Sequence, residues 1–189
     1  MAETPSPGGN GPFGFLSRRR FLKLGLMGGG TLLAIGGGGV GGLLALRGRA
    51  PKVAGLRILS SHEYRTLTNL ARTHLPRGGA FDQGGEDAEL ARAFDDFLAD
   101  EPPENIRDLK LALTLIEFGP VVFGGSLSTF SNLDDGARLE HWKGWIVSPR
   151  LLQRQAATAF RKFMSLVFYD RPAVWPHIHY PGPVMGSHE

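Results

Sequence analysis

The chain has 189 residues, a formal charge of +3 from 21 Lys/Arg against 18 Asp/Glu, and no cysteine. Without thiols it forms no disulfide, iron–sulfur cluster, thiolate zinc site or c-type haem attachment. The basic excess lies in the first 50 residues, with six Lys/Arg and one acid; residues 51–189 hold 15 bases and 17 acids, so they lack the basic footprint that nucleic-acid binding requires.

Residues 1–16 are rich in Pro, Gly, Ser and Asn and carry one charge. They offer too little apolar surface to offset ordering entropy and read as a disordered leader. Ser17-Arg18-Arg19-Arg20-Phe21-Leu22-Lys23 follows, then an apolar run from Leu24 to Leu46. A hydroxyl residue, two arginines, a variable residue, Phe-Leu and Lys match a bacterial twin-arginine export signal, a receptor-read address. Its residues are Ser17, Arg18, Arg19, Phe21, Leu22 and Lys23. The twin-arginine route carries proteins already folded in the cytoplasm. Such a chain either binds a cofactor there or leaves docked to a partner that does.

The apolar run holds ten glycines in 23 residues and is only weakly hydrophobic. Gly39-Val40-Gly41-Gly42 is no dinucleotide loop, because that motif needs a strand before it and a helix and an acid after it. The run exceeds the ~20 residues that span a bilayer. Gly48-Arg49-Ala50 suits signal-peptidase cleavage, but Pro51 would occupy the first mature position, where these peptidases stall. Residues 17–50 therefore read as a signal or, if uncleaved, a membrane anchor.

Residues 51–58 read as a linker. Ser60-Ser61-His62-Glu63 is a capping box, and Tyr64, Leu67, Leu70, Ala71 and Leu75 follow at helical spacing up to Pro76. Residues 77–87 are a Gly-rich surface loop whose acids lack calcium-loop spacing. A second helix is predicted over 86–99, with Leu90, Ala91, Phe94, Phe97 and Leu98 inward and Asp95 and Asp96 outward. Pro102-Pro103-Glu104 suits a helix start. Residues 104–118 are apolar on most faces and predict a central helix stopped by Gly119-Pro120, with a bent connection over 121–130. A helix starting at Asn132–Asp135 carries Trp142 and Trp145, and Pro149 opens a last helix over 150–168. Its Arg150, Arg154, Arg161 and Lys162 lie off the apolar stripe and read as a solvated face.

With no sustained period-2 alternation after residue 50, the fold class is all-α: a bundle of about five helices over 59–170. Residues 171–189 form an arm with two prolines flanking Trp175 and a Tyr180-Pro181-Gly182-Pro183 ending. Prolines hold a chain extended and reduce the entropy lost on docking, and Trp and Tyr are favoured interface anchors. Two readings stand for this arm: it packs back on its own bundle, or part of it lies against another protein.

These features together resemble the gluconate 2-dehydrogenase subunit 3 family. The resemblance rests on the signal, the Leu59-Ser60-x-x-Glu63 opening with its helix ending in Leu75-Pro76, the Phe168-Tyr169 to Trp175 segment, and the Tyr180-Pro181-Gly182-Pro183 ending. It implies a small subunit that carries no flavin and is not itself catalytic. The partner it implies is a large flavoprotein of the glucose-methanol-choline type, holding FAD and lacking its own signal. The small subunit brings that partner across the inner membrane through the twin-arginine translocase, and electrons pass to a multi-haem cytochrome c subunit or another acceptor. It also implies a location in the periplasm or on the periplasmic face of the inner membrane. Tyr169, Trp175, Tyr180, Pro181, Gly182 and Pro183 are the partner-docking residues under this resemblance. The chain differs from relatives that use cysteines to link to the catalytic subunit, and it has Ile178-His179 where Ile-Gly is expected.

Little else carries chemistry. His177-x-His179, with His188 as a third ligand, could bind copper or zinc if the arm were extended. No Gly-x-Ser-x-Gly elbow and no P-loop occurs. The alternative to a subunit is a stand-alone exported helical protein that binds a metal or small ligand at the cell envelope.

Overall fold

Helices carry the chain in the computed structural model, which describes residues 39–79 and 82–183. They are α1 (Gly39–Leu46), α2 (Ser61–His74), α3 (Leu90–Leu98), α4 (Pro103–Gly124), α5 (Asp135–Ile146) and α6 (Leu151–Tyr169). Short 3-10 turns lie at Phe130–Asn132 and Trp175–Ile178, and no strand occurs among the described residues. The all-α class holds. The leader at 1–16 and the arginine motif lie outside the described residues.

α2 begins at the predicted box. Ser60 Oγ accepts the Glu63 N–H at 3.3 Å, and the Glu63 carboxylate accepts the Ser60 N–H at 2.7 Å. Such a cap contributes about 1 kcal/mol. Glu63 also meets Lys110 Nζ at 3.2 Å, which ties the start of α2 to α4. α2 packs on α3, α4, α5 and the Phe130–Asn132 turn. It, rather than the more apolar α4, is the hub of the bundle. α6 closes the other side against α3 and α5. Phe94, Phe130, Trp142 and Phe160 lie in the core, and Phe94 meets Phe163 edge-on at 4.5 Å.

Three boundaries differ from expectation. α3 starts at Leu90 rather than 86. The Asp87 carboxylate accepts the Gly84 N–H at 2.9 Å and pairs with Arg77, while Gly85 N–H donates to Leu75 O at 2.8 Å, so these contacts fold 84–89 as turns against the end of α2. α4 runs through Gly119-Pro120 to Gly124. An interior proline costs about 3 kcal/mol. Here packing on both sides of it offsets this: Phe118 and Val121 are buried, and Phe123 meets Trp145 edge-on at 6.2 Å. α6 starts at Leu151, after Ser148 Oγ accepts the Arg150 N–H at 3.1 Å.

One side chain is on the opposite face from the one predicted. Asp95 is 1% exposed and accepts backbone N–H groups from Arg57 at 2.7 Å, Ile58 at 3.0 Å and Leu59 at 2.7 Å. The linker is thereby fixed to α3. Arg92 reinforces it by donating to Ala54 O and Gly55 O, and Lys110 donates to Ile58 O at 2.7 Å. Phe97, expected inward, is 40% exposed and covers Phe163 edge-on at 4.7 Å.

Candidate functional site

The C-terminal segment sets three of the six residues singled out for docking, Tyr169, Tyr180 and Gly182, against the indole of a fourth, Trp175. Val174 is fully buried in the core and anchors the segment. Next to it, Trp175 is half-buried, and its Nε1–H donates to Tyr169 O, at the end of α6, at 3.1 Å. Tyr180 N–H donates to Trp175 O at 3.0 Å, and the Tyr180 ring stands edge-on to the indole at 5.5 Å. Gly182, at φ +97°, is buried against the other part of the ring, where an added Cβ would lie 3.0 Å from Trp175 Cζ3. Tyr169 and Tyr180 remain 48% and 44% exposed, and Pro181 and Pro183 are exposed beside them.

The segment is thus a folded knob and not an extended arm. Pro176 opens the Trp175–Ile178 3-10 turn, and His179 follows at φ +54°. The fixed φ of proline serves a first helical turn as well as an extended chain, so proline content alone did not separate the two. The first reading of the arm holds for Val174, which packs back on the bundle, while the tyrosines and prolines face outward.

The same folding removes the geometry that a His177-x-His179 metal pair needs. His177 lies in the 3-10 turn and His179 is itself left-handed, so the two rings do not sit on one side of a strand. No group of three or more His, Asp or Glu converges as a metal site among the described residues. His188 lies outside them, as do the export-signal residues Ser17, Arg18, Arg19, Phe21, Leu22 and Lys23.

α6 extends the apolar surface. Leu151 and Leu166 are 55% and 65% exposed along an open groove of about 660 Å³, beside Arg154 and Lys162. Leu166 precedes Tyr169 by three residues, so the two are neighbours on the helix surface and the groove runs toward the knob.

A second cluster joins α1 to the bundle. Arg65 reaches from α2 to Arg47 O and Arg49 O, both at 3.4 Å, and to Ser131 O and Asn132 Oδ1 at 3.2 and 2.8 Å. Asn132 Nδ2 donates to Leu46 O at 2.8 Å. Beneath them Glu117 is fully buried; its Oε2 accepts from Thr66 Oγ1 at 2.9 Å and Ser131 Oγ at 2.6 Å. The Arg47 guanidinium lies 5.9 Å from the Phe118 ring. Burial lowers the pKa of Arg47, while Glu117 and Glu63 oppose that shift. His62 beside it is also pushed down, by burial and by Arg47.

Sequence reasoning missed Arg65, Asn132 and Glu117. Glu117 had a readable signal, a single acid within the apolar stretch 111–123. Arg65 and Asn132 had none, since both lie on polar positions whose partners are distant in sequence.

No helix among the described residues is long and apolar enough to cross a membrane. No protein-family model matches this chain, and comparison with curated proteins and solved structures gives no significant match.

Proposed function

We propose that this chain is the non-catalytic small subunit of a membrane-associated flavin-dependent dehydrogenase. In this reading it folds in the cytoplasm, captures a large FAD-bearing flavoprotein of the glucose-methanol-choline type, and carries it through the twin-arginine translocase. It then stabilises that partner in the periplasm or on the periplasmic face of the inner membrane. The FAD belongs to the partner, and the electrons pass to a cytochrome c subunit or another acceptor.

The observation that carries the docking role is the Trp175 knob. Its indole is held by the Tyr169 carbonyl, the Tyr180 ring and Gly182, while Tyr169 and Tyr180 keep much of their surface exposed. A rigid aromatic pair beside an apolar groove has little side-chain entropy left to lose on binding, as interface anchors require. Arg154 and Lys162 along the groove suit a partner surface with carboxylates at its rim.

The test is an affinity capture of the full-length protein from its own host, scanned for flavin absorbance and identified by mass spectrometry. A co-purifying flavoprotein without its own signal supports the subunit reading and gives the substrate class. A colourless, unaccompanied protein favours the stand-alone envelope binder.

A further inference from the structure

We infer that the folded bundle seals the Gly48-Arg49-Ala50 junction against signal peptidase, so that the exported protein keeps residues 17–50 and stays attached to the lipid bilayer by its apolar run. The inference rests on the export reading but not on the identity of any partner.

Three observations carry it. First, the backbone at the junction is not extended. Arg47 N–H and Gly48 N–H donate back to Leu44 O and Ala45 O at 3.2 Å each, and Gly48 sits at φ +67°. A peptidase that reads the residues before a cut binds them as an added strand, through main-chain hydrogen bonds. Second, the carbonyls it would use are occupied. Leu46 O is taken by Asn132, Arg49 O by Arg65, and Arg47 O by both. Third, the Arg47 side chain is tucked over Phe118 in electrostatic reach of the buried Glu117. Peeling the junction away would withdraw a cation from a fully buried carboxylate.

Timing makes the clamp effective. On the twin-arginine route the bundle is folded before the junction meets the peptidase, so cleavage requires local opening. Losing about three such hydrogen bonds suppresses the open form roughly hundredfold. Pro51 adds a second obstacle at the first mature position. The clamp also fixes where the bundle sits. The face bearing Arg65 and Asn132 is held at the end of the apolar run, with exposed Arg49 and Lys52 next to it, which suits anionic headgroups.

The test separates the clamp from the proline. Full-length, C-terminally tagged protein is expressed in a bacterium with a working twin-arginine translocase, and its N-terminus is determined by mass spectrometry after a high-pH membrane wash. Wild type and Pro51→Ala are both expected to remain membrane-bound with an N-terminus upstream of Gly48. Pro51→Ala combined with Arg65→Ala and Asn132→Ala is expected to yield a released form starting at residue 51. Wild type starting at residue 51, Pro51→Ala being cleaved like the triple variant, or the triple variant remaining uncleaved overturns the inference. A second arm needs no export: trypsin digestion of purified full-length protein in detergent. The Arg47–Gly48 and Arg49–Ala50 bonds are expected to be cut at least tenfold more slowly in wild type than in Arg65→Ala/Asn132→Ala, with circular dichroism confirming that both are folded. Equal rates in the two folded proteins refute the clamp, whatever the fate of the flavoprotein reading.

Discussion

The carboxylate of Asp95, inside α3, holds the backbone N–H of Leu59 at 2.7 Å and thereby fixes where the segment after α1 enters the bundle. The same carboxylate holds Arg57 and Ile58, so one side chain satisfies three donors that no helix claims. Asp95→Ala leaves the buried Leu59 N–H unpaired and is expected to cost about 3 kcal/mol. Asp95→Asn keeps one acceptor oxygen and is expected to cost about half that. Urea denaturation of the full-length protein, followed by far-UV circular dichroism, checks both; equal stability of Asp95→Ala and wild type would show that water replaces the carboxylate.

Gly119 and Gly144 are both interior helix glycines, yet replacing them by alanine has opposite expected effects. Alanine gains up to about 1 kcal/mol over glycine in a helix. At Gly144 nothing lies within 4 Å of an added Cβ, so the gain is realised and the melting temperature rises. At Gly119 a Cβ would stand 2.6 Å from Trp145 Cζ2 and 3.1 Å from His141 Nε2. Trp145 is buried and cannot withdraw, so overpacking costs about 1–3 kcal/mol and the melting temperature falls. Thermal melts of the two single variants decide the sign at each position.

His74 and His141 give the fold a pH dependence. His74 lies edge-on to Trp142, and His141 lies between Phe130 and Trp145. Burial, with Arg161 adding to it at His74, lowers both to about 4 from an ordinary 6.5. The unfolded chain therefore binds more protons than the native one between those values, and stability rises with pH across that window. Above pH 6.5 the two contribute no slope, and below about 4 their loss is complete. Both rings keep partial contact with water, so the expected loss is about 1–2 kcal/mol per histidine, less than the roughly 3 kcal/mol that the full shift from 6.5 to about 4 implies. Melting temperatures at pH 7.5 and 5 are expected to diverge by less in His74→Gln/His141→Gln than in wild type.

Much of the bundle is legible in the sequence because its signals are local. The Ser60–Glu63 box, the Pro102-Pro103 start and the apolar stripe of α6 depend on residues within a few positions of each other, and each helix forms where they indicate. What was misread depends on distant partners. Gly119-Pro120 reads as a stop until Trp145 supplies the contact that sustains α4 beyond it. Asp95 reads as solvent-facing by its chemistry, although it lies four residues after Ala91 and three before Leu98, on the same buried stripe. Its spacing pointed inward while its charge pointed outward, and the three unclaimed N–H groups of the linker decided between them. In the tail, the structure sets Tyr169, Tyr180 and Gly182 against Trp175, but in a folded turn and not the expected extended arm, because proline suits both a strand and a first turn.

The knob supplies the sharpest test of the docking role. Trp175→Ala removes the indole around which Tyr180 and Gly182 are arranged, and Tyr180→Ala removes one of its two exposed rings. Gly182→Val acts on the same indole from a third side: at φ +97° a β-branched residue is strained, and its Cβ would meet the ring at 3.0 Å. If the knob anchors the flavoprotein, Trp175→Ala is expected to weaken capture about thirtyfold, the effect of losing an interface hot spot, with Gly182→Val close behind. Tyr180→Phe preserves the edge-on ring and is expected to capture like wild type. All four variants are expected to leave the bundle intact, because the buried attachment of the segment is Val174 and not Trp175. Circular dichroism checks that the bundle is folded, and co-purification of the full complex measures capture. Undiminished capture by Trp175→Ala and Tyr180→Ala, both folded, would move the docking surface off the knob, with Leu151 and Leu166 on the α6 groove the next residues to change.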